Sequence, residues 1–320
     1  MTKNFSLENN FLELEFSDKR LKKRFFKIMD AFFNEPGSSI LSACGSREQA
    51  KAAYRFFAND TCSYEELRSS ISKSTIEKML HLPKEKILLI QDTTSISFGN
   101  RKGIDGMGYY CESEQKGMLV HSCIAVTQAG IPLGLVFQES FTRKEQKNKT
   151  ESKEQRKCRP IEEKESFRWI STLRECHIRI PNEVSKLTIC DREGDFYELF
   201  SDAEKQGERF LIRLTQNRPT KEGKKLFEQL KSSPVKGSLV LQIGRNSKEH
   251  LPRRKVKMDY HYETITIKKP QRRKVEDMLY DLAVLGGRKG TPSDGTPGVV
   301  SVWKGLEKFF ILLEYKDFLV

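Results

Sequence analysis

The sequence predicts a mixed α/β fold, in which a central sheet has helices on both faces. A helical region precedes this sheet in the chain, and an antiparallel β unit follows it. Three observations support this prediction. Residues 86–215 alternate strand-like apolar runs with helix-like segments, residues 17–80 contain three segments with helical spacing, and residues 239–267 change to a period of two. A chain of 320 residues with 37% hydrophobic residues is long enough for two domains or one large one with a sizeable core.

The N-terminal region is predicted to form three helices. Asp18 stands at the start of the first, and apolar residues recur after it at helical spacing. Ser46 and Ser63 each precede a Gln or Glu by three residues, which is the spacing of a capping box. We therefore expect the second helix to reach about residue 59 and the third about residue 81. The buried side of the third helix is predicted to consist of Leu67, Ile71 and Met79.

The first helix has a basic side, formed by Arg20, Lys23, Arg24 and Lys27. The whole chain is also basic, with a net charge of +13 and an isoelectric point near 9.3. Such a charge favours a polyanionic partner, with nucleic acid as the first candidate. Three short helices with a basic side are typical of small DNA-binding units, although a solvated basic side on an ordinary helical bundle explains these residues equally well.

Two apolar runs in the middle of the chain share one design. One run, Ile87–Ile90, leads through Gln91 to Asp92, and the other, Leu187–Cys190, leads directly to Asp191. Each run is typical of a buried strand, and α/β sheets gather their chemistry where such strands leave the core. The two carboxylates could therefore converge on divalent cations. A turn or helix-cap role is the alternative for each aspartate taken singly.

The same patterns predict the other elements of the central sheet. Residues 86–137 are expected to form three strands in a meander, with a turn at Gln128–Gly130. A helix is expected at 161–176, another near 196–206, and a strand at 209–215.

The C-terminal third is predicted to add an antiparallel β unit and then helices. Residues 239–267 alternate apolar with polar or small side chains, which is typical of antiparallel strands. Residues 275–286 have a helical pattern, and a Gly- and Pro-containing linker separates them from an amphipathic segment at 299–319.

The composition argues against several other classes of protein. Seven scattered cysteines without a C-x-x-C pair are typical of reduced thiols. Five histidines, none with ligand spacing to a cysteine, argue against a zinc site. No apolar stretch reaches the roughly 20 residues of a membrane span, and the N-terminus has no signal-peptide core. We therefore expect a cytoplasmic protein with no membrane partner.

Motifs spread over most of the chain resemble those of one family, and they stand in that family's order. They are Phe16–Leu21, Pro36–Ile40, Lys51–Phe57 with Asn59, Gln91–Ser95, Gly117–His121, Glu162–Ser166 with Trp169, Cys190–Glu193, Gly295–Gly298 and Val302–Leu306. With them the sequence resembles the bacterial insertion-sequence transposases of the transposon-five-like (IS-four-type) group, members of the DDE, or retroviral-integrase, superfamily.

The resemblance implies a fold, a cofactor and a partner. The fold would be a ribonuclease-H-like mixed sheet with flanking helices, and an N-terminal helical domain would bind the terminal inverted repeats of a transposon. Asp92 and Asp191 would be the first two members of an acidic triad that holds Mg²⁺ or Mn²⁺. The implied divisions are a DNA-end-binding domain at 1–82, a catalytic core at 83–218, a β insertion at 219–275 and a residual helical segment at 276–320.

The resemblance also implies contacts to DNA. The predicted contacts are the basic side of the first helix, Arg20, Lys23, Arg24 and Lys27, together with Tyr54, Arg55, Asn59, Thr93, Thr94, Arg192, Arg213 and Arg218. The two threonines would fix the strand end or the DNA backbone, and the last three arginines would hold phosphates. A surface ion pair explains each of these three arginines equally well.

The family's third acidic residue is missing from the sequence. In the family it is a glutamate on a helix, one turn after an Arg that itself follows a Tyr by three positions, and residues 215–320 contain no such pattern. Segments resembling the β insertion end near Glu276 and segments resembling the family's C-terminus begin near Leu279, so we infer an internal deletion joined near 276–280. Glu276 is the candidate substitute. Two carboxylates hold two divalent ions poorly, so impaired cleavage with retained DNA binding is expected.

Three hypotheses account for these features. The first is a bacterial cut-and-paste transposase that acts in the nucleoid, binds terminal repeats and target DNA, dimerises on them, and carries out Mg²⁺- or Mn²⁺-dependent hydrolysis and strand transfer. The second is a binding-only or inhibitory remnant that could pair with intact transposase. The third is an unrelated metal nuclease or RNA-binding protein that uses the same basic surface.

Overall fold

The computed structural model describes residues 7–16, 18–82, 84–99, 101, 103–110, 115–143, 152, 158–243, 245, 252–268, 270, 280–292 and 309–312. The helices are α1 (Lys19–Asn34), α2 (Ile40–Ala43), α3 (Arg47–Phe57), α4 (Tyr64–Leu80), α5 (Phe167–Arg179), α6 (Tyr197–Lys205) and α7 (Leu226–Ser232), with 3₁₀ helices at Leu7–Asn10, Ile161–Glu163 and Arg192–Gly194. The strands are β1 (Ile87–Ser97), β2 (Gly108–Tyr109), β3 (Lys116–Val126), β4 (Pro132–Phe141), β5 (Lys186–Cys190), β6 (Phe210–Arg213), β7 (Gly237–Ile243), β8 (Arg254–Ile267), β9 (Tyr280–Pro292) and β10 (Phe309–Leu312). Within the described ranges, no helix combines the length and apolarity needed to cross a membrane.

The helix starts predicted in the N-terminal region are confirmed. The carboxylate of Asp18 accepts the backbone N–H of Arg20 at 2.8 Å and caps α1. The hydroxyls of Ser46 and Ser63 accept N–H groups three residues later and cap α3 and α4. Each cap is a local hydrogen bond that satisfies a donor of the first helical turn, so a short stretch of sequence is enough to predict it. The helices α1 and α3 bury a common aromatic core that includes Phe25, Phe26, Ile28, Ala53 and Phe56.

The buried side of α4 differs from the prediction. Met79 is fully buried, but Leu67 and Ile71 are only partly covered. Hydroxyl side chains take the buried positions, namely Ser70, Ser72, Ser74 and Thr75. Each donates to a backbone carbonyl, as Ser72 Oγ does to Val136 O of β4 at 2.7 Å, so burial leaves no hydroxyl proton unsatisfied. Ser72 thus ties α4 to β4 at the edge of the sheet, and Ser70 and Ser74 tie it to backbone oxygens of residues 7–16.

All the strands belong to one mixed sheet. Strand β1 lies antiparallel to β3 and parallel to β5, β3 is antiparallel to β4, and β5 is parallel to β6. Beyond β6 the sheet continues through β10, β9, β8 and β7, each antiparallel to its neighbour. The predicted meander and the predicted antiparallel β unit are therefore confirmed.

The described helices that cover β1, β3, β5 and β6 all lie on one face of the sheet. Leu89 packs in a core with Met79 of α4 and Cys176 of α5. Phe210 is level with Leu89 across β5, so it lies on the same face of the sheet, and its ring stacks on Phe200 of α6 with the ring centres 5.4 Å apart. For these strands the prediction of helices on both faces is wrong. The crossovers from β4 to β5 and from β5 to β6 advance in the same direction, so right-handed connections place α5 and α6 on the same face.

The prediction of a helix at 275–286 is wrong where the structure describes it. Residues 280–286 belong to β9, which pairs along β8 from Tyr280↔Ile267 onward. The long edge of β8 offers unpaired backbone N–H and C=O groups, and pairing with them overrides a local helical pattern. The predicted amphipathic segment at 299–319 contains strand β10 where it is described. Residues 275–279, including Glu276, lie outside the described residues.

Candidate functional site

Strand β1 does not end at Asp92, as predicted, but continues to Ser97. Its second half stays paired with β3, from Asp92↔Ser122 to Ser97↔Gly117. What ends at this level is β5, which pairs with β1 only from Ile87↔Lys186 to Ile90↔Ile189 and stops at Cys190. Asp92 therefore lies at the point where β1 loses its neighbour on one side.

The parallel register places Asp92 and Asp191 side by side. Ile90 is level with Ile189, so two residues further Asp92 is level with Asp191. Asp191 keeps an extended backbone, with φ −76° and ψ −168°, so it continues the line of β5. Adjacent strands are about 4.8 Å apart, and level residues of paired parallel strands point to the same face. The two carboxylates are therefore neighbours on one face of the sheet, as the cation hypothesis requires.

Other side chains at this level extend the acidic pair into a row across four strands. Cys190 is level with Ile212, so Arg213 of β6 is level with Asp191, while Ser122 is level with Asp92 on the other side. We call Ser122, Asp92, Asp191 and Arg213 the polar row. It lies on the face opposite α4, α5 and α6, because Asp92 alternates with Gln91, whose side chain is buried on the helix side.

A row of aliphatic residues lies on the same face, one step nearer the start of β1. These residues are Ile124, Ile90, Ile189 and Leu211, which are in register across β3, β1, β5 and β6. Ile124 is 42% exposed and Ile90 38% exposed. The acidic pair therefore borders an incompletely covered apolar surface rather than a closed cavity.

The carboxylate oxygens of the acidic pair are largely available for a cation. Asp191 Oδ1 accepts the backbone N–H of Glu193 at 2.7 Å, which also makes Asp191 the cap of the 3₁₀ helix Arg192–Gly194. Among the described residues, no hydrogen bond or ion pair involves the Asp92 carboxylate or Asp191 Oδ2. Carboxylate oxygens are the ligands that Mg²⁺ and Mn²⁺ prefer, and Mg²⁺ is commonly held by one or two of them together with waters and substrate phosphates.

A third protein ligand is not found in the part of the chain that the structure describes. Within those residues no group of three or more His, Cys, Asp or Glu side chains is close enough to hold a metal ion. A cation between Asp92 and Asp191 would therefore need water and a phosphate to complete its coordination.

Thr93 points away from the acidic pair, to the helix side of the sheet. Its hydroxyl is 2.8 Å from Nδ1 of His121 and accepts from Nε of Arg168 at 3.0 Å. The other ring nitrogen of His121 is 3.3 Å from Oε1 of Gln91, and the ring packs edge-on against Trp169 at 4.6 Å. Thr93 therefore joins this network on the helix side, and its predicted role in fixing the strand end or the DNA backbone stays a prediction. Thr94 is exposed on the face of the acidic pair.

Lowering the pH should destabilise the fold through His121. Burial, with a smaller contribution from the Arg168 charge, lowers the pKa of His121 to about 3, whereas an unfolded histidine titrates near pH ~6.5. This stabilising contribution is therefore fully present above pH ~6.5 and is lost progressively as the pH falls toward 3. Urea unfolding should show a loss of about 3 kcal/mol from this group between pH 7 and 4.

Two histidine variants check this assignment by urea unfolding over the same pH range. His121→Gln should reduce the pH dependence, because it removes the buried titrating ring. His81→Gln, at an exposed histidine, should follow the wild type. An unchanged pH dependence in His121→Gln would show that other groups cause the acid sensitivity.

The predicted phosphate-binding arginines differ in their surroundings. Arg192 is exposed directly after Asp191, and Arg213 is half-buried in the polar row. Arg218 is instead largely buried and forms an ion pair with the buried Asp195, and its guanidinium lies over the Phe200 ring at 5.2 Å. This placement gives Arg218 a structural role, the ion-pair alternative raised above.

The basic side of α1 continues onto α3. Arg24 Nη1 donates to Gln49 Oε1 of α3 at 2.7 Å, and both line a shallow groove together with Lys27. Lys23 and Lys27 are exposed. Arg20 is exposed and bridges to Asp18 at 2.8 Å, and that hydrogen bond lowers the pKa of Asp18. All four of these cations lie on α1, and Gln49 is the residue of α3 that joins their surface.

The residues predicted on α3 flank this basic surface. Tyr54 is 55% exposed and Arg55 is exposed beside it, so an aromatic ring and a cation are both accessible. Asn59 instead closes the turn after α3, because its Oδ1 accepts from the N–H of Thr61 at 3.0 Å and from its hydroxyl at 2.8 Å. The side chains of Tyr54 and Arg55 are thus accessible to a ligand, whereas the side chain of Asn59 holds the turn after α3.

Arg168 is a site residue that the sequence did not reveal. It lies on the first turn of α5, its side chain is 10% exposed, and it bonds to Thr93 and Glu193, which stand close to the two aspartates in the sequence. The available signal was its position beside Trp169 in one of the family-like motifs. Nothing in that motif indicated which strand ends it would touch.

Comparison with known proteins shows that the N-terminal helices are similar to a DNA-binding domain. Residues 5–62 match the family model of the transposase DNA-binding domain, a range that contains α1, α2 and α3 and their basic surface. Among solved structures, the fold is similar to the cryo-EM structure of a piggyBac transposase synaptic complex with hairpin DNA, with a TM-score of 0.35 and 11% sequence identity. That similarity covers 78% of this chain and 50% of the other, so the chain spans about half the length of that protein.

Proposed function

We propose that this chain is a transposase-type protein that binds DNA through its N-terminal helices and holds a divalent cation between Asp92 and Asp191 for cleavage of a phosphodiester bond. The observation that carries the proposal is the parallel register of β1 and β5, which makes the two acids neighbours. The match of residues 5–62 to transposase DNA-binding domains supports DNA as the partner.

The more specific proposal is a ribonuclease-H-like core of the bacterial insertion-sequence DDE type. An antiparallel meander of β1, β3 and β4, followed by two parallel strands joined through α5 and α6, supports it. So does the placement of one acid on the first strand of the meander and one at the end of β5. In this reading the substrate is the end of a transposon, and the cation is Mg²⁺ or Mn²⁺.

The residues of the polar row have different roles at the proposed cation site. Asp92 and Asp191 would supply oxygen ligands, and the N–H of Glu193 fixes the orientation of the Asp191 carboxylate. Arg213, level with Asp191, is placed to hold a phosphate against the pair. A bound divalent cation would polarise the scissile phosphate and lower the pKa of an attacking water.

The basic surface of α1 and α3 has a separate task, which needs no metal. Lysine and arginine contacts to phosphates fix the position of DNA on a protein and dominate its affinity. Tyr54 and Arg55 supply the aromatic and bidentate groups that can contact bases or backbone. Binding and chemistry thus use different parts of the chain and can be tested separately.

A binding-only protein is the second candidate function. It is favoured by the lack of a group of three or more metal-binding side chains among the described residues. A chain of this kind would retain DNA ends and could inhibit an intact transposase by occupying its sites or by pairing with it.

A combined retention and nicking assay tests the proposal. Labelled duplexes from the DNA that flanks the coding sequence are incubated with the full chain and Mg²⁺ or Mn²⁺. Retention with cation-dependent nicking supports the transposase function, and retention without nicking supports the binding-only function. Retention that is equal for unrelated duplexes would count against recognition of specific ends.

The basic surface should control the salt dependence of DNA retention. Lys27→Ala is expected to reduce the slope of log affinity against log salt by about 1, because each lost phosphate contact releases one fewer counterion. Lys84→Ala, an equal charge change at an exposed lysine before β1, should leave the slope unchanged. Equal slopes for the wild type and Lys27→Ala in filter-binding titrations would place the DNA elsewhere.

A further inference from the structure

We infer that Arg168 is a positioning residue that ties together the two backbone segments that carry Asp92 and Asp191. Its guanidinium lies between Thr93, the neighbour of Asp92, and Glu193, two residues after Asp191. Nε donates to Thr93 Oγ1 at 3.0 Å, and Nη2 donates to Glu193 Oε2 at 2.5 Å. The inference rests on the proposed cation site, because it assigns Arg168 the task of holding that site's ligands in place.

Both residues that Arg168 contacts, Thr93 and Glu193, form further hydrogen bonds. Glu193 donates its backbone N–H to Asp191 Oδ1 at 2.7 Å, so holding Glu193 holds the Asp191 carboxylate. Thr93 Oγ1 accepts from Arg168 and is also hydrogen-bonded to Nδ1 of His121 at 2.8 Å. One side chain therefore links β1, β3 and the turn after β5 in a single hydrogen-bonded network.

The guanidinium is enclosed on its remaining sides. Nη1 donates to the backbone oxygen of Glu165 at 2.7 Å. The charge lies over the rings of Phe141 at 5.7 Å and Trp169 at 5.9 Å. With its side chain 10% exposed and its donors directed to protein groups, Arg168 is built to hold the protein rather than a phosphate.

The bridge requires the shape of arginine as well as its charge. A planar guanidinium presents several donors in a rigid fork and can hold two acceptors at once, whereas the ammonium of lysine is a point charge on a flexible stem. Arg168→Lys therefore preserves the charge near the acids but not the simultaneous contact with Thr93 and Glu193. This difference separates positioning from general electrostatic stabilisation.

Hydrogen exchange of the full chain tests the bridge without metal or DNA. Arg168→Met is expected to raise exchange about tenfold in peptides that contain residues 92–94 and 191–194, because the charged hydrogen bonds that restrain these backbones are lost. Arg174→Met is the matched control, since Arg174 lies on the same helix and pairs with Asp202 at 3.0 Å. It should leave exchange in both peptides unchanged.

Manganese binding, followed by electron paramagnetic resonance, gives a second readout. Arg168→Met should weaken Mn²⁺ affinity by roughly 10–100-fold, the usual effect of removing a residue that orients metal ligands. Arg168→Lys should remain well below the wild type in affinity, and Arg174→Met should equal the wild type.

Unchanged exchange in Arg168→Met, or full restoration by Arg168→Lys, would overturn the inference. A wild type that binds no Mn²⁺ would count against the proposed cation site alone, because the exchange result needs no ion. If Arg168→Met does not fold, Glu193→Ala cuts one arm by removing the acceptor at a side chain that is 54% exposed. It should raise exchange in residues 191–194 but not in 92–94, and unchanged exchange in 191–194 would again overturn the inference.

Discussion

Replacing Asp191 with asparagine is expected to lower Mn²⁺-dependent nicking of DNA by about a thousandfold or more while leaving DNA retention unchanged. A metal ion stabilises the charge of the transition state by several kcal/mol, and every loss of about 1.4 kcal/mol lowers the rate tenfold. Asparagine keeps the shape of the side chain, and its Oδ1 can still accept the N–H of Glu193 that Asp191 accepts at 2.7 Å. The loss would therefore report the missing charge rather than a rearranged turn.

The same assay carries its controls. Asp92→Asn should match Asp191→Asn, because both carboxylates are expected to bind the same cation. Asp105→Asn removes an equal charge from an exposed aspartate outside the polar row and should nick as the wild type does. Nicking that persists in Asp191→Asn would show that the acidic pair is not the source of the activity.

Replacing Asp195 with alanine is expected to cost about 3–5 kcal/mol of stability, because it breaks a buried ion pair by removing one of its partners. Asp195 is fully buried as a side chain and forms an ion pair with Arg218. Its Oδ2 also accepts the backbone N–H groups of Thr215 at 2.5 Å and Gln216 at 2.7 Å. The substitution therefore also removes the acceptor of two partly buried backbone donors.

Urea unfolding measures this loss. The expected result is a lower midpoint with an unchanged slope, since the buried area of the fold stays the same. Arg20→Ala breaks an ion pair whose arginine is 91% exposed and should not measurably shift the midpoint. A midpoint for Asp195→Ala within error of the wild type would contradict a structural role for the pair. Because Asp195 stands four residues after Asp191, the variant should also weaken Mn²⁺ binding.

Local features of the fold could be predicted from the sequence, and features that depend on pairing could not. The caps Asp18, Ser46 and Ser63 were predictable because each acts within one helical turn. The strand assignment of residues 280–286 depends on the distant edge of β8, and a local helical pattern gave the wrong answer there. The serines buried on α4 were unpredictable for the same reason, since their acceptors lie in other elements.

At the candidate site, too, local features could be predicted from the sequence and contacts between distant residues could not. Two apolar runs ending in Asp92 and Asp191 indicated an acidic pair, but only the register of β1 with β5 makes the two residues neighbours. Arg218 had the sequence context of a phosphate ligand, yet the partner that buries it, Asp195, is set by the turn after β5. Arg168 was missed because its contacts join residues 75 and 25 positions away in the chain. Spacing within one segment carries no information about such contacts.

Iron-mediated backbone cleavage tests most directly the proposal that Asp92 and Asp191 share one divalent cation. Fe²⁺ bound in place of Mg²⁺ produces hydroxyl radicals in the presence of ascorbate and peroxide, and these cut the polypeptide next to the ion. The expected result is one cut near residue 92 and one near residue 191 in the wild type, with both lost in Asp92→Asn alone. Cuts at only one of these places, or cuts that persist in Asp92→Asn, would contradict a shared site.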